Sequence, residues 1–205
     1  MAALPMFPLG CVLFPGAVLP LHVFEPRYKA LVHTCLEADR EFGVVLIERG
    51  NEVGGNDVRT DVGTVASIVQ AEQMPDGRWG VVAIGVRRIQ VRAWLPDDPH
   101  PMADVEDLPD QPPVADLAPA FSECCVLLRR VLALKAELGE PAAPITIELA
   151  DDPVLGAYQL GAVAPIGPVD QQAILRCATV EDRLDLVRRL LAEEADFLER
   201  RLALS

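Results

Sequence analysis

MFPLGCVLFPGAVLPLHVFEPRY, running from Met6 to Tyr28, carries strand signals that give way to a helix signal within 23 residues. Its apolar runs are of strand length and are cut by Pro-Gly punctuation. The pattern predicts short strands over Val12-Leu13-Phe14 and Val18 to Phe24, with Pro15-Gly16 as the turn between them. At Phe24-Glu25-Pro26-Arg27-Tyr28 the period changes. Pro26 suits a first helical turn, and Tyr28, Leu31, Val32, Cys35 and Leu36 then fall on one stripe at i, i+3, i+4, i+7 and i+8. One helix is predicted there, with Glu37, Asp39 and Arg40 as its solvated end.

Strand signals resume beyond that helix. Phe42 to Glu48 is a near-continuous apolar run, as expected for a strand buried on both faces. Gly50 to Asp57, with Asn51 and Gly54-Gly55, reads as a polar loop. Val62 to Met74 and Arg78 to Val82 flank Pro75-Asp76-Gly77, and Asp-Gly between two such runs predicts a hairpin. Ile89 to Leu95 alternates, and Met102 to Leu108 is predicted as an edge strand.

Seven prolines, counting both ends, lie between Pro96 and Pro119. Proline removes a donor and is excluded from helix interiors, so Pro109 to Pro119 reads as a linker. Past it the hydrophobic period becomes helical. Helices are predicted over Phe121 to Leu138, from Asp152-Pro153 to about Ala164, and from Pro168 to near Ala178. Thr179-Val180-Glu181-Asp182 resembles a capping box that opens a last helix. Its seam of Val180, Leu184, Val187, Leu191, Ala195, Leu198 and Leu202 suits bundle packing, with a coiled coil as the other possibility. The expected class is α+β. Residues 1–110 form a β-rich part, 111–118 a proline-rich linker and 119–205 a helical part.

Composition narrows the function. Half of the 205 residues are apolar and a quarter charged, which is ordinary for a globular chain. No apolar run approaches the roughly 20 residues that span a bilayer, so no membrane role is expected. The N-terminus lacks the basic and long apolar regions of a signal peptide, and a cytoplasmic protein is expected. The formal net charge is −13. Residues 1–110 carry 9 basic against 16 acidic side chains, and residues 111–205 carry 9 against 15. Acid spread so evenly leaves no basic face for a phosphate backbone, which argues against nucleic acid. The five cysteines are Cys11, Cys35, Cys124, Cys125 and Cys177. An odd number at irregular spacing, with no C-x-x-C, argues for reduced, mostly buried thiols and against a metal site.

In order along the chain, several motifs resemble the N-terminal substrate-binding domain of Lon proteases. The opening matches that family's Pro-Leu…Phe-Pro-Gly…Pro-Leu…Phe-Glu-x-Arg-Tyr pattern. Phe42-Gly43-Val44-Val45-Leu46 occupies its next strand region, and Val62-Gly63-Thr64-Val65-Ala66-x-Ile68 looks like its V-G-T-x-A-x-I block. Pro75-Asp76-Gly77-Arg78 matches the hairpin, and Gly85-Val86-Arg87-Arg88-Ile89 the strand after it. In the helical half Gln171-Gln172-Ala173-Ile174-Leu175 followed by Arg183-Leu184 resembles a K-Q-x-L-L…R-L segment, with Gln171 in place of Lys. The resemblance implies a β-rich, PUA-like pseudobarrel carrying one inserted helix, followed by a helical bundle. It also implies a module that engages unfolded or client polypeptide, through apolar surface in a groove between its halves.

Catalytic chemistry finds no foothold. A P-loop needs Gly-x-x-x-x-Gly-Lys-[Ser/Thr], and the only lysines, Lys29 and Lys135, follow no such loop. Ser67, Ser122 and Ser205 show no nucleophile setting, and a length of 205 residues leaves no room for the ATPase and protease domains of Lon. No catalytic residue, metal ligand or cofactor is expected, and the chain is not expected to be an enzyme. His22, His33 and Cys35 are read as structural, since free cysteines are usually buried and inert.

Glu25, Arg27, Tyr28, Gly63, Gly85 and Arg88 are the family-motif residues, expected to be structural. Glu25 would pair with Arg27, Arg87 or Arg88 while Tyr28 packs inward. Trp79 and Trp94 are the candidate polypeptide contacts, because large aromatics supply contact area at small entropy cost. The function expected is a non-catalytic polypeptide-binding or adaptor module, with a protease or another protein as its further partner. Two alternatives stay open: a ligand-binding or enzymatic pocket in the pseudobarrel, and a structural partner acting through the C-terminal helix. Oligomeric state is not legible.

Overall fold

Strand β1 spans Ala2–Leu9 and serves two neighbours in succession. Ala2 to Pro5 run antiparallel to β6 (Met102–Asp107), and Met6 to Leu9 run parallel to β3 (Glu41–Arg49). Between them in sequence lie β2 (Val18–Val23) and helix α1 (Pro26–Glu37). Two long strands, β4 (Val58–Gln73) and β5 (Trp79–Leu95), complete the six-stranded sheet. The computed structural model describes residues 2–49, 58–97 and 99–204. The expected loop from Gly50 to Asp57 lies outside them.

Pairing runs β2-β5-β4-β3-β1-β6, and β6 also pairs with β5. The ladder β5-β4-β3-β1-β6-β5 is therefore a closed circuit. Strand β2 hangs on β5 beyond it, with Leu19 opposite Ala83 and Val23 opposite Trp79.

Alternation along these strands builds two apolar clusters. Phe7, Val44 and Ala66 point to one face, where they meet Tyr28, Leu31, Val32 and Cys35 of α1. Their neighbours Met6, Val45 and Val65 point to the other, with Ile89, Val91, Ala103 and Val105. Both faces of β3 are covered, which is why Phe42 to Ile47 reads as an unbroken apolar run.

Three expectations are corrected. Val12-Leu13-Phe14 is not a strand but a buried loop, and β1 precedes it instead. Its backbone is held from the side: Thr64 Oγ1 donates to the Leu13 carbonyl at 2.6 Å. Of the expected strands Arg78 to Val82 and Ile89 to Leu95, residues 79–82 and 89–95 belong to one 17-residue strand, β5, continuous between them with register shifts against its neighbours. Met102 to Leu108 does not make an edge, since β6 bonds β1 on one side and β5 on the other.

The chain divides into two compact units, Met1–Pro109 and Asp110–Ser205. The second holds α2 (Ala118–Glu137), α3 (Pro153–Val163), α4 (Pro168–Arg176) and α5 (Val180–Leu202). The sequence signals act as anticipated at two N-termini. Asp152 accepts from the amides of Val154 and Leu155, and Thr179 Oγ1 accepts from the Asp182 amide at 3.0 Å. The Asp182 carboxylate bonds the Thr179 hydroxyl rather than its amide, so the box is not reciprocal. Cys124, Leu128, Val131 and Leu132 of α2 are buried, as are Val180, Leu184, Val187, Leu191, Ala195 and Leu198 of α5.

Candidate functional site

Chain direction changes sharply where β2 meets α1. Pro26 restricts the residue before it to extended backbone, and Glu25 has φ −68° and ψ 138°. Its carbonyl accepts the first helical bond, from the Lys29 amide at 2.9 Å. The Glu25 side chain does not cap the helix. It accepts instead from Arg27 Nε at 3.1 Å, with both side chains about four-fifths buried. The Arg27 guanidinium lies 4.5 Å from the centre of the Tyr28 ring. Tyr28 stacks on Phe7 at 4.0 Å and 8°, fastening α1 to β1. Of the three arginines offered for Glu25, Arg27 takes it.

A cleft of about 190 Å³ opens beside this corner, within the first unit. Its walls come from Phe7 and Leu9 of β1, Pro20 and its neighbours in β2, and Phe24, Glu25 and Tyr28. Phe24 is 56% exposed, an unusual position for a phenylalanine. It follows the inward-pointing Val23 and so faces outward.

The remaining motif residues lie elsewhere in the same unit. Gly63 sits where a Cβ would stand 2.2 Å from the Val44 carbonyl oxygen, and Gly85 where one would stand 2.2 Å from that of Phe14. Gly85 also exchanges backbone bonds with the turn before β2, accepting from Gly16 N and donating to Ala17 O. Arg88 is buried. Arg87, by contrast, bridges Glu41 and Asp107 at 2.9 Å each, and the Glu41 carboxylate holds its guanidinium above its ordinary pKa.

The two tryptophans have different settings. Trp79 is 8% exposed within the α1 cluster and stands edge-on to His33 at 5.2 Å. Its indole Nε1 is buried with no hydrogen-bond partner among the described residues. Trp94 is half-buried, and the Arg59 guanidinium lies 4.3 Å from its ring centre. Neither lines the cleft. The sequence reading therefore missed the cleft residues Phe7, Leu9, Pro20 and Phe24. The one signal available was Phe24, an aromatic out of phase with Leu19, Leu21 and Val23.

Burial pushes the Cys35 and Cys124 thiols up to about 12, where no thiolate forms at neutral pH. No cluster of three or more His, Cys, Asp or Glu able to hold a metal occurs among the described residues. Nor is any described helix long and apolar enough to cross a membrane.

A six-stranded sheet carrying one helix, followed by four more helices, makes this an α+β chain. Comparison with known proteins makes the assignment specific. The family model described as the ATP-dependent protease La (LON) substrate-binding domain matches residues 3–193, and the chain belongs to that family. Lon protease 2 of Herpetosiphon aurantiacus is 29% identical over 200 residues, covering 96% of this chain and 24% of that protein. Lon protease of Escherichia coli K12 is 28% identical over 205 residues, covering 96% of this chain and 25% of that one. The chain thus spans about a quarter of the length of these relatives. The crystal structure of a Lon N-terminal domain protein from Xanthomonas campestris superposes with a TM-score of 0.69 at 27% identity. That match covers 94% of this chain and 98% of the other.

Proposed function

We infer that this chain is a polypeptide-recognition module without catalytic machinery of its own, acting in the cytoplasm on unfolded or client segments, in concert with a protease or another protein. The observation that carries the reading is the cleft beside Phe24, in a chain whose family is defined by substrate binding. A ring that is half exposed at the mouth of an apolar cleft is surface held ready for another chain. At about 190 Å³ the cleft is smaller than the ~300–1,000 Å³ typical of small-ligand sites, which favours a polypeptide side chain over a free small ligand as its occupant.

The same reading treats the closed strand circuit as a PUA-like pseudobarrel and residues 111–118 as a linker between functional parts. It treats Glu25 and Tyr28, with Arg27 beside them, as the frame of the cleft, and Gly63, Gly85 and Arg88 as structural residues of the sheet. Trp79 belongs with the latter, whereas Trp94 remains the tryptophan available to a client.

The test is binding of a labelled, chemically unfolded model polypeptide to the full chain. Saturable binding that weakens at least several-fold in Phe24→Ser, with unfolding midpoint unchanged, is expected. Binding indifferent to that substitution would remove the cleft from the account. No binding at all would remove the polypeptide-recognition reading itself.

A further inference from the structure

We propose that the cleft beside Phe24 takes a client by side-chain insertion alone, without strand addition, and selects apolar side chains flanked by Lys or Arg. This rests on the polypeptide-binding reading and narrows it to one recognition mode and one client chemistry.

Strand addition would be the obvious alternative. Among the described strands β2 alone has a single neighbour, and an unpaired edge is a ready template for an incoming chain. The phase of the β2–β5 ladder decides against it. The Gly85 amide donates to the Ala17 carbonyl, so odd-numbered residues here exchange bonds with β5. Val18, Pro20 and His22 therefore turn their backbone groups outward. Pro20 has no N–H, and it stands at the centre of that outward set. A docking strand would find amides only at Val18 and His22, about 13 Å apart at strand rise. An edge interrupted at its centre is a blunted one. Affinity must then come from side chains.

What enters is set by size and charge. The cleft is walled by Phe7, Leu9, Pro20, Phe24 and Tyr28, and its volume suits one large apolar side chain rather than a folded surface. Glu25, the acidic group among the lining residues, is already paired with Arg27, so the charge preference rests on residues 1–109 as a whole, which carry 15 acidic against 9 basic side chains, a net of −6. A negative field of this kind favours cationic flanks and repels acidic ones.

The experiment uses fluorescein-labelled peptides with a central Phe and either Lys or Glu flanks, titrated against the full chain by anisotropy. At low salt the Lys-flanked peptide is expected to bind roughly tenfold tighter than the Glu-flanked one, and the gap should close near about 0.5 M salt. Replacing the central Phe by Ser should abolish binding. N-methylation of alternate peptide amides should leave affinity within about twofold, because no ladder forms. Loss of binding on N-methylation would overturn side-chain insertion, and equal affinity of the two flanking sets would overturn the charge preference. In either case an unfolded polypeptide still binds. Should it not bind, the underlying reading fails as well, so the two failures are separable.

Discussion

Arg183 of α5 reaches Asp110 across 73 residues of sequence, its Nη2 lying 2.6 Å from the Asp110 carboxylate. The same nitrogen is 3.1 Å from the Tyr158 hydroxyl, which itself donates to Asp110 at 2.7 Å. The guanidinium carbon lies 3.9 Å from the centre of the Tyr158 ring. This triad ties the first residue of the second unit to α3 and α5. The Arg183 side chain is wholly buried, and its Nε and Nη1 have no hydrogen-bond partner among the described residues.

That imbalance predicts an asymmetric response to mutation. Asp110→Ala leaves a buried guanidinium with no counter-charge and should cost about 3–5 kcal/mol. Arg183→Met removes the cation together with its unsatisfied donors, while Asp110 keeps some solvent and the Tyr158 hydroxyl. Its cost should stay below about 2 kcal/mol. Urea unfolding of both variants decides the matter. Equal losses would mean that Arg183 is better satisfied than its surroundings indicate.

Gly63 and Gly85 give a second prediction, concerned with backbone approach. A methyl group at either position meets a carbonyl oxygen at 2.2 Å, and backbone cannot yield as a flexible side chain can. Gly63→Ala and Gly85→Ala should each destabilise by roughly 1–3 kcal/mol or more. Gly167→Ala is the control, since nothing lies within 4 Å of its would-be Cβ. Thermal unfolding midpoints that fall for the first two and hold for the third are the expected result.

Local chemistry was legible in the sequence, and non-local pairing was not. Pro26 announced α1, Asp152 and Thr179 announced α3 and α5, and Asp76-Gly77 announced the turn from β4 to β5. Periodicity cannot distinguish a buried loop from a buried strand, however. Val12-Leu13-Phe14 is as apolar as a strand because the loop is enclosed, while Pro5 and Pro8 disguised β1. The β6 pairing to β1 joins residues about a hundred positions apart, and no local pattern records it. The cleft depends on the same distant geometry. Phe7 reaches Tyr28 only once β1 has paired with β3, so the aromatic stack was invisible one residue at a time. Arg183 was visible as a motif residue, but its partners Asp110 and Tyr158 were not.

Cysteine reactivity provides a third prediction. Cys35 donates its thiol to the Glu41 carbonyl at 3.2 Å and Cys124 to that of Leu184 at 3.4 Å, and burial lifts both to about 12. At pH 8 a thiol reagent should label exposed Cys11 quickly and leave Cys35 and Cys124 untouched until the chain unfolds. The linked pH effect has a definite sign. A folded thiol pKa raised above its ordinary value of 9.0 stabilises fully below pH 9, and the contribution is lost as pH rises toward about 12. Stability should fall across that window, less steeply in Cys35→Ala than in the parent. Rapid labelling of all five thiols in the native state would contradict this burial.

The last prediction concerns Glu25 and Arg27 and divides frame from contact. Their pair is neither exposed nor enclosed, with 18% and 21% of the side chains accessible. An exposed pair contributes about 0–1 kcal/mol, while breaking an enclosed one costs roughly 3–5. Glu25→Gln should therefore destabilise by about 1–2 kcal/mol, within that bracket. Arg27→Gln should do likewise, and the double variant should lose less than the sum, because the two changes remove one shared contact. Arg88→Ala should instead add independently to Glu25→Gln, since the Glu25 carboxylate is engaged by Arg27. If Glu25 only frames the cleft, polypeptide binding by Glu25→Gln should fall no further than its loss of folded chain explains. A denaturation curve identical to the parent's, together with lost polypeptide binding, would make Glu25 a direct contact.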